Sequence, residues 1–306
     1  MRRGCQAGSL ETRAAGRRYP RVVRVIVTGG SGKAGRWTVQ HLRQQGHDVL
    51  NVDIRHDGSD FGLCTVADLT DPGQAIELTA GADAIVHLAA IPAPDLRSPA
   101  ETFRINALST YNVFAAAELN HVGRVVWASS ETVLGLPFDT PPLFAPIDET
   151  IEVRPETSYS LSKVVGESMA AQFSRRTGIP FLGLRISNIM EPPDYAQFPG
   201  WQADPTIRRW NLWGYVDVRD VAQAIGRALT TQIRGAEVCI VAAADTVMIR
   251  PSAELLAEVF PDVPVRRPIV DRQTLLSIDR AQQLLGYLPE HGWQDELAGR
   301  TKPTVA

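Results

Sequence analysis

Tyr159 and Lys163 stand four residues apart in SYSLSK. On a helix that spacing puts both on one face, one turn apart. A free phenol titrates near ~10 and is a poor base at neutral pH. An ammonium one turn away favours the phenolate. Such a pair can exchange a proton with a substrate hydroxyl while hydride passes to a redox cofactor. Upstream, Ser129 and Ser130 end the apolar run RVVWASS. A serine at the carboxyl end of a parallel strand can hydrogen-bond a substrate oxygen in its alcohol and carbonyl states. The other reading of such a serine is a turn or helix cap.

The stretch TGGSGKAG, Thr28 to Gly35, joins the strand-like VVRVIV to the helical RWTVQHLRQQG. Gly29, Gly32 and Gly35 permit a tight turn, close approach of a pyrophosphate, and close helix–strand packing. Lys33 and Ala34 then lie where the positive end of the helix receives the phosphate. Asp53 follows 18 residues after Gly35, at a strand end. A carboxylate there accepts hydrogen bonds from the adenosine ribose and repels a ribose phosphate, which points to NAD. Arg36 and Arg55 leave NADP open, since a guanidinium can receive a 2′-phosphate; each also reads as a solvated surface arginine. A bound nicotinamide ring, being positive, would favour the Tyr159 phenolate further.

The elements that must position these groups alternate. Strand-like runs begin at Val22, Asp48, Cys64, Ala82, Arg124 and Ile179. Between them helices are expected after Gly35, from Pro99 to Asn120 and from Ser158 to Thr177. Alternation of this kind implies a parallel sheet covered on both faces, an α/β, Rossmann-type, doubly wound architecture. From about Asn188 prolines and aromatics crowd the chain, and regular structure is expected to stop. GYVDVRDVAQAIGRAL then reads as a strand end and a helix started by Asp220, with short amphipathic helices at SAELLAEVF and IDRAQQLLG. The expected organisation is a basic, disordered tail over 1–21, a dinucleotide-binding domain over 22–187, and a mixed segment over 188–306. That last segment completes the sheet and forms a small substrate-binding cap.

With 306 residues, 44% of them hydrophobic and 21% charged, the chain is long enough for this plan. A net charge of -3 invites neither nucleic acid nor an anionic membrane. Cys5, Cys64 and Cys239 are scattered without ligand spacing, so cytosolic thiols are expected, with no disulfide framework and no metal. No apolar run reaches the roughly 18 residues of a membrane span. A soluble, cytoplasmic protein is expected. The Arg-rich first stretch lacks the apolar core of a secretory signal; a disordered tail is the plain reading, and a transit peptide or anion-binding arm the alternatives.

Taken in order, several stretches resemble the extended short-chain dehydrogenases/reductases, the NAD-dependent epimerase/dehydratase family. They are TGGSGKAG, Asp53, ADL at Ala67 to Leu69, HLAA at His87 to Ala90, and RINALSTYNVFAAA around Asn106. After them come ASSETVLG, YSLSK, LRISN ending at Asn188, YVDVRDVAQAI and SIDRAQQLLGYLP. The resemblance implies that Asp68 and Leu69 contact adenine and that Ala89 lines the cofactor through its backbone. It implies that Asn106 organises the catalytic helix and its water, and that Ser130 polarises the substrate oxygen. Tyr159 would then be the acid/base, Lys163 would bind the nicotinamide ribose, and Asn188 would touch substrate. Both asparagines also read as backbone-capping residues. Pairing of two copies through the long helices is common in that family, so a homodimer is an expectation by analogy.

Departures narrow the reaction. Family dehydratases place two acids after the catalytic hydroxyl residue; here Glu131 and Thr132 follow, which argues against dehydration and leaves Glu131 as a substrate contact. Many sugar-nucleotide epimerases read VYG where this chain has Val133, Leu134 and Gly135. The span from Asn188 to Tyr215 is short and resembles that of uronate dehydrogenases. Within it Arg208 and Arg209 could pair with a carboxylate or phosphate, and Trp201, Trp210 and Trp213 could stack on a sugar ring. Surface arginines and cap-core aromatics are the alternative. The expected activity is NAD-linked hydride transfer to or from a secondary alcohol or ketone of a small sugar-like or sugar-acid substrate. An epimerase is the second reading, and a catalytically silent redox sensor the third.

Overall fold

The computed structural model describes residues 23–55 and 64–299. The basic stretch 1–21, with Cys5, lies outside the described residues. The chain runs β1 (Arg24–Thr28), α1 (Lys33–Gln44), β2 (Asp48–Asp53), β3 (Cys64–Val66), α2 (Pro72–Thr79) and β4 (Ala84–His87). It continues α3 (Pro99–Leu119), β5 (Val125–Ser130), α4 (Ser158–Thr177), β6 (Phe181–Ile186) and β7 (Ile189–Met190). Last come β8 (Val216–Asp217), α5 (Val218–Thr230), β9 (Ala236–Val241), α6 (Ser252–Val259), α7 (Asp279–Leu285) and α8 (Trp293–Leu297).

Seven strands pair in the order β3-β2-β1-β4-β5-β6-β9. Every pairing is parallel, with Val25 opposite both Val49 and Ala84. This is the Rossmann-type α/β sheet. β4 and β6 are buried at every position, as strands covered on both faces must be. On one face α1 and α5 bury Val39, Leu42, Val221 and Ile225. On the other, α3 and α4 cover Phe114, Trp127, Phe173 and Phe181. There the Phe114 ring meets Trp127, Phe173 and Phe181 edge-on, the arrangement that aromatic quadrupoles favour.

The sheet order reverses between β1 and β4, opening a crevice at the carboxyl ends of the strands. α4 is held over that crevice. Its first turn is fixed by a reciprocal capping box, Thr157 with Ser160, which sets the start two residues before Tyr159. Gly166 then lets the helix lie against β5, since a Cβ there would fall 2.9 Å from the Trp127 ring.

The later chain departs from expectation in three places. The proline-rich span is ordered as two 3-10 helices, Pro192–Trp201 and Pro205–Asn211, each entered through proline. Proline suits a first turn, and the buried rings of Tyr195, Phe198 and Trp213 hold the span down. α5 is capped by Asp217, whose carboxylate accepts from the Arg219 amide. Asp220, the expected cap, lies inside the first turn, accepting from the amides of Glu290 and His291. β9, AEVCIV after Gly235, is a strand outside the expected runs; it takes the edge of β6, and Glu149 accepts from the Ile240 amide.

Candidate active site

The glycine turn is packed as tightly as its composition demands. Gly29 has φ +69°, and a Cβ there would lie 2.6 Å from the Ala89 nitrogen. A Cβ on Gly35 would lie 2.0 Å from the Gly29 oxygen. α1 starts at Gly32 with no side-chain cap and no acid in its first turn. α2, α3, α4 and α5 are capped by Asp71, Ser98, Thr157 and Asp217, whereas the short α6, α7 and α8, like α1, have no side-chain cap. Amides left uncapped at a helix N-terminus suit an anion, so the residues present fit a dinucleotide pyrophosphate. Asp53 holds the turn in place: its carboxylate accepts from the amides of Ser31 at 3.0 Å and Ile54 at 2.7 Å.

The remaining expected cofactor residues divide. Ala89 donates its amide to Thr28 Oγ1 at 3.4 Å, beside Gly29. Thr28 Oγ1 also meets His87 Nδ1 at 2.8 Å, and His87 Nε2 meets Thr110 Oγ1 at 3.2 Å. Burial, helped by the Lys163 charge, pulls His87 down to about 3, so it bridges β1 and α3 as a neutral ring. Asn106 accepts from the Ile91 amide at 2.7 Å and donates to the Ile91 carbonyl and Ser162 Oγ, joining the β4 exit to α4. Leu69 is buried, with its carbonyl taken by Asn112. Asp68 is exposed and folds back on the Thr70 amide and hydroxyl. Ala34 is half-buried in the first turn of α1. Lys33 reaches across to Asp194 at 2.7 Å. Next to it Arg36 pairs with Glu191 at 2.5 Å, so this guanidinium is engaged by the 191–201 segment.

Ser130, Tyr159 and Lys163 converge. Ser130 ends β5, near enough to Tyr159 for its hydroxyl to lower the phenol. Lys163 Nζ donates to the Ala128 carbonyl at 2.9 Å and sits 5.6 Å from the centre of the Tyr159 ring. The expected acidification of the phenol by lysine is not what the protein alone produces. Burial pushes Tyr159 up to about 12; the Ser130 hydrogen bond lowers it and Glu131 raises it. Burial brings Lys163 down to about 8. Desolvation outweighs the lysine here because the two groups share one dry pocket and the Lys163 ammonium is tied to a backbone carbonyl.

Glu131 is turned away from Tyr159 into a polar cluster of its own. Its oxygens accept from Ser187 Oγ at 2.6 Å and Asn211 Nδ2 at 3.2 Å. Burial pushes it up to about 7 against those hydrogen bonds and the Arg208 charge. Arg208 is buried, donating to Asn188 Oδ1 at 3.1 Å and the Gly214 carbonyl at 3.2 Å. Its guanidinium lies 4.7 Å from the Trp201 ring and 4.8 Å from the Trp210 ring. Nε of Arg208 has no partner among the described residues. Arg209 is exposed. Trp213 is fully buried and donates to the Pro205 carbonyl, so it belongs to the core rather than to any sugar-stacking face.

Sequence reasoning missed the groups behind the site. Glu167 receives Ser129 Oγ at 2.7 Å and a bidentate Arg185. The available signals were an acid one turn after Lys163 and an arginine in the otherwise apolar strand FLGLRI. Ser187 and Asn211 carry no such signal, because they meet Glu131 only through tertiary structure.

Residues 25–242 match the family described as NAD dependent epimerase/dehydratase. Among curated relatives, L-arabinose 1-dehydrogenase (NAD(P)(+)) of Haloferax volcanii is 29% identical over 221 residues, covering 69% of this chain and 84% of that protein. A uronate dehydrogenase of Pseudomonas syringae pv. tomato is 31% identical over 194 residues, covering 61% of this chain and 67% of that protein. Among solved structures, MoeE5 in complex with UDP-glucuronic acid and NAD superposes with TM-score 0.67 at 25% identity, covering 90% of this chain and 96% of that one. A close-packed glycine turn between β1 and α1, a strand-end serine beside a tyrosine and lysine, and a match over most of the chain agree on one assignment. The chain belongs to the NAD-dependent epimerase/dehydratase family.

Proposed function

We propose that this protein is an NAD-dependent dehydrogenase acting on a secondary alcohol or ketone of a small sugar or sugar acid. The observation that carries it is the convergence at the strand-end crevice of Ser130, close enough to lower the Tyr159 phenol, with Lys163 Nζ 5.6 Å from the centre of the tyrosine ring. NAD, when bound, accepts or returns the hydride and brings a positive ring that offsets the burial of the phenol. Ser130 orients the substrate oxygen, Tyr159 takes or gives its proton, and the Lys163 ammonium holds the cofactor ribose. In this reading Gly29, Gly32, Lys33, Ala34, Gly35, Asp53, Asp68, Leu69, Ala89 and Asn106 frame the dinucleotide. Asn188 and Arg208, next to Glu131, face the substrate. Residues 22–187 hold the cofactor, and 188–306 complete the sheet and cover the substrate.

The engagement of Arg36 by Glu191 supports NAD over NADP. Exposed Leu108, Tyr111 and Leu119 on α3 and Leu161 on α4 support a homodimer, measurable by light scattering. Free Cys64 and Cys239 suit a reducing compartment such as the cytoplasm. Among the described residues no helix is long and apolar enough to cross a membrane.

The test is a panel of aldoses, uronates and nucleotide sugars with NAD or NADP, followed at the absorbance of the reduced nicotinamide. An aldose or uronate that reduces NAD in proportion to its own consumption is the expected result. Interconversion of a nucleotide sugar with no reduced nicotinamide released would replace this reading with epimerisation, which uses the same three side chains.

A further inference from the structure

Thr132 donates to Ser130 twice. Its amide lies 3.2 Å and its Oγ1 3.0 Å from Ser130 Oγ. A serine hydroxyl has one proton and two acceptor positions. With both acceptor positions filled by one residue, Ser130 retains only its proton to share. The arrangement is held from behind. Ser130 caps the 3-10 turn Glu131–Leu134, and the first residue of that turn is anchored by Ser187 and Asn211.

We propose that Thr132 is a positioning residue that makes Ser130 a one-way donor, so that a substrate hydroxyl must give its proton to Tyr159. This rests on the dehydrogenase reading above and adds a direction to it. A serine with a free lone pair could accept the substrate O–H itself, and that geometry would leave Tyr159 without the proton it must remove. With Thr132 in place the substrate oxygen accepts from Ser130 and donates to Tyr159. On oxidation the substrate O–H bond breaks and an O–H bond forms on Tyr159. The carbinol C–H leaves as hydride to oxidised NAD, and the new carbonyl oxygen keeps its hydrogen bond from Ser130. Every atom and electron is accounted for by these four partners. Before substrate binds, the same proton is available to the Tyr159 oxygen, in keeping with the lowering effect of Ser130 on that group; bound substrate then takes it over.

Thr132→Val keeps the branched shape and the backbone amide but loses the hydroxyl donor; Thr132→Ser keeps the donor. With whichever substrate reduces NAD, Thr132→Val is expected to lower kcat about tenfold, short of the roughly 10²–10³ lost with a whole oxyanion donor. KM should stay within about twofold, and the acid limb of the kcat/KM profile, which reports the free enzyme, should move up by about one pH unit. Thr132→Ser should restore both. An unchanged kcat and pH profile in Thr132→Val overturns the inference. So does a change confined to KM, or an equal loss in the Val and Ser variants. Tyr159→Phe is measured alongside: if it keeps full activity the dehydrogenase reading itself fails, whereas an inactive Tyr159→Phe with a normal Thr132→Val removes only the role given to Thr132.

Discussion

Arg185 on β6 and Glu167 on α4 form a buried bidentate pair, Nε to Oε1 at 2.9 Å and Nη2 to Oε2 at 2.8 Å. The arginine is only 4% exposed and the glutamate 14%. Glu167 lies one helical turn beyond Lys163, and it also receives the hydroxyl of Ser129, the neighbour of Ser130. The pair therefore ties the helix that carries Tyr159 to the two strands beneath it. Removing one partner leaves a buried charge alone, which costs about 3–5 kcal/mol. Arg185→Leu should lose that much in urea denaturation, and adding Glu167→Leu should recover most of it. Additive losses in the double variant would show that the two side chains stabilise the fold separately.

Gly29 should tolerate no side chain. Its positive φ and its contact with Ala89 combine, so Gly29→Ala is expected to cost at least about 1–3 kcal/mol and to weaken NAD binding. Gly46 also has a positive φ, +83°, but nothing lies within 4 Å of its Cβ position. Gly46→Ala should cost about 1 kcal/mol and leave NAD affinity unchanged. Thermal melts and calorimetric titration with NAD separate the two effects. Equal behaviour of both variants would remove the argument from close approach.

Glu131 predicts a stability that falls as pH rises. Its folded value is raised from 4.5 to about 7, so the folded state holds the proton more tightly than the unfolded chain. The corresponding stability is complete below about pH 4.5 and is lost as pH passes through about 7, a span worth on the order of 3 kcal/mol. Glu131→Gln, which keeps the hydrogen-bonding shape without titrating, should flatten that slope in melts taken between pH 5 and pH 8. Parallel curves for the two proteins would mean that Glu131 is ionised at all these values.

Asp53 predicts cofactor choice. Its carboxylate accepts from Ser31 and Ile54, and in the proposed reading it stands where a ribose phosphate would have to sit. Asp53→Asn should keep most of the turn yet lower the ratio of kcat/KM for NAD over NADP by about tenfold or more. A ratio unchanged by the substitution would place the discrimination elsewhere.

The parallel sheet and both long helices were legible because their signals are local. α4 begins at Ser158 and ends at Thr177, as a capping threonine before it and Gly178 after it require. The glycine turn, Ser130, Tyr159 and Lys163 were legible for the same reason, since strand ends and four-residue spacings place them without knowledge of the rest. What escaped depends on contacts far apart in the chain. Glu131 meets Ser187 and Asn211 across 56 and 80 residues. The effect of lysine on the phenol was misjudged in a similar way. Spacing shows that two groups are near, but burial shifts both toward their neutral forms.

The measurement closest to the centre is the turnover of Tyr159→Phe with the substrate and NAD that the panel identifies. The phenol is the one group asked to carry the proton, so kcat should fall by about 10²–10⁴ while NAD affinity, set by the glycine turn and Asp53, stays within a few fold. A variant that turns over at the wild-type rate would contradict the account.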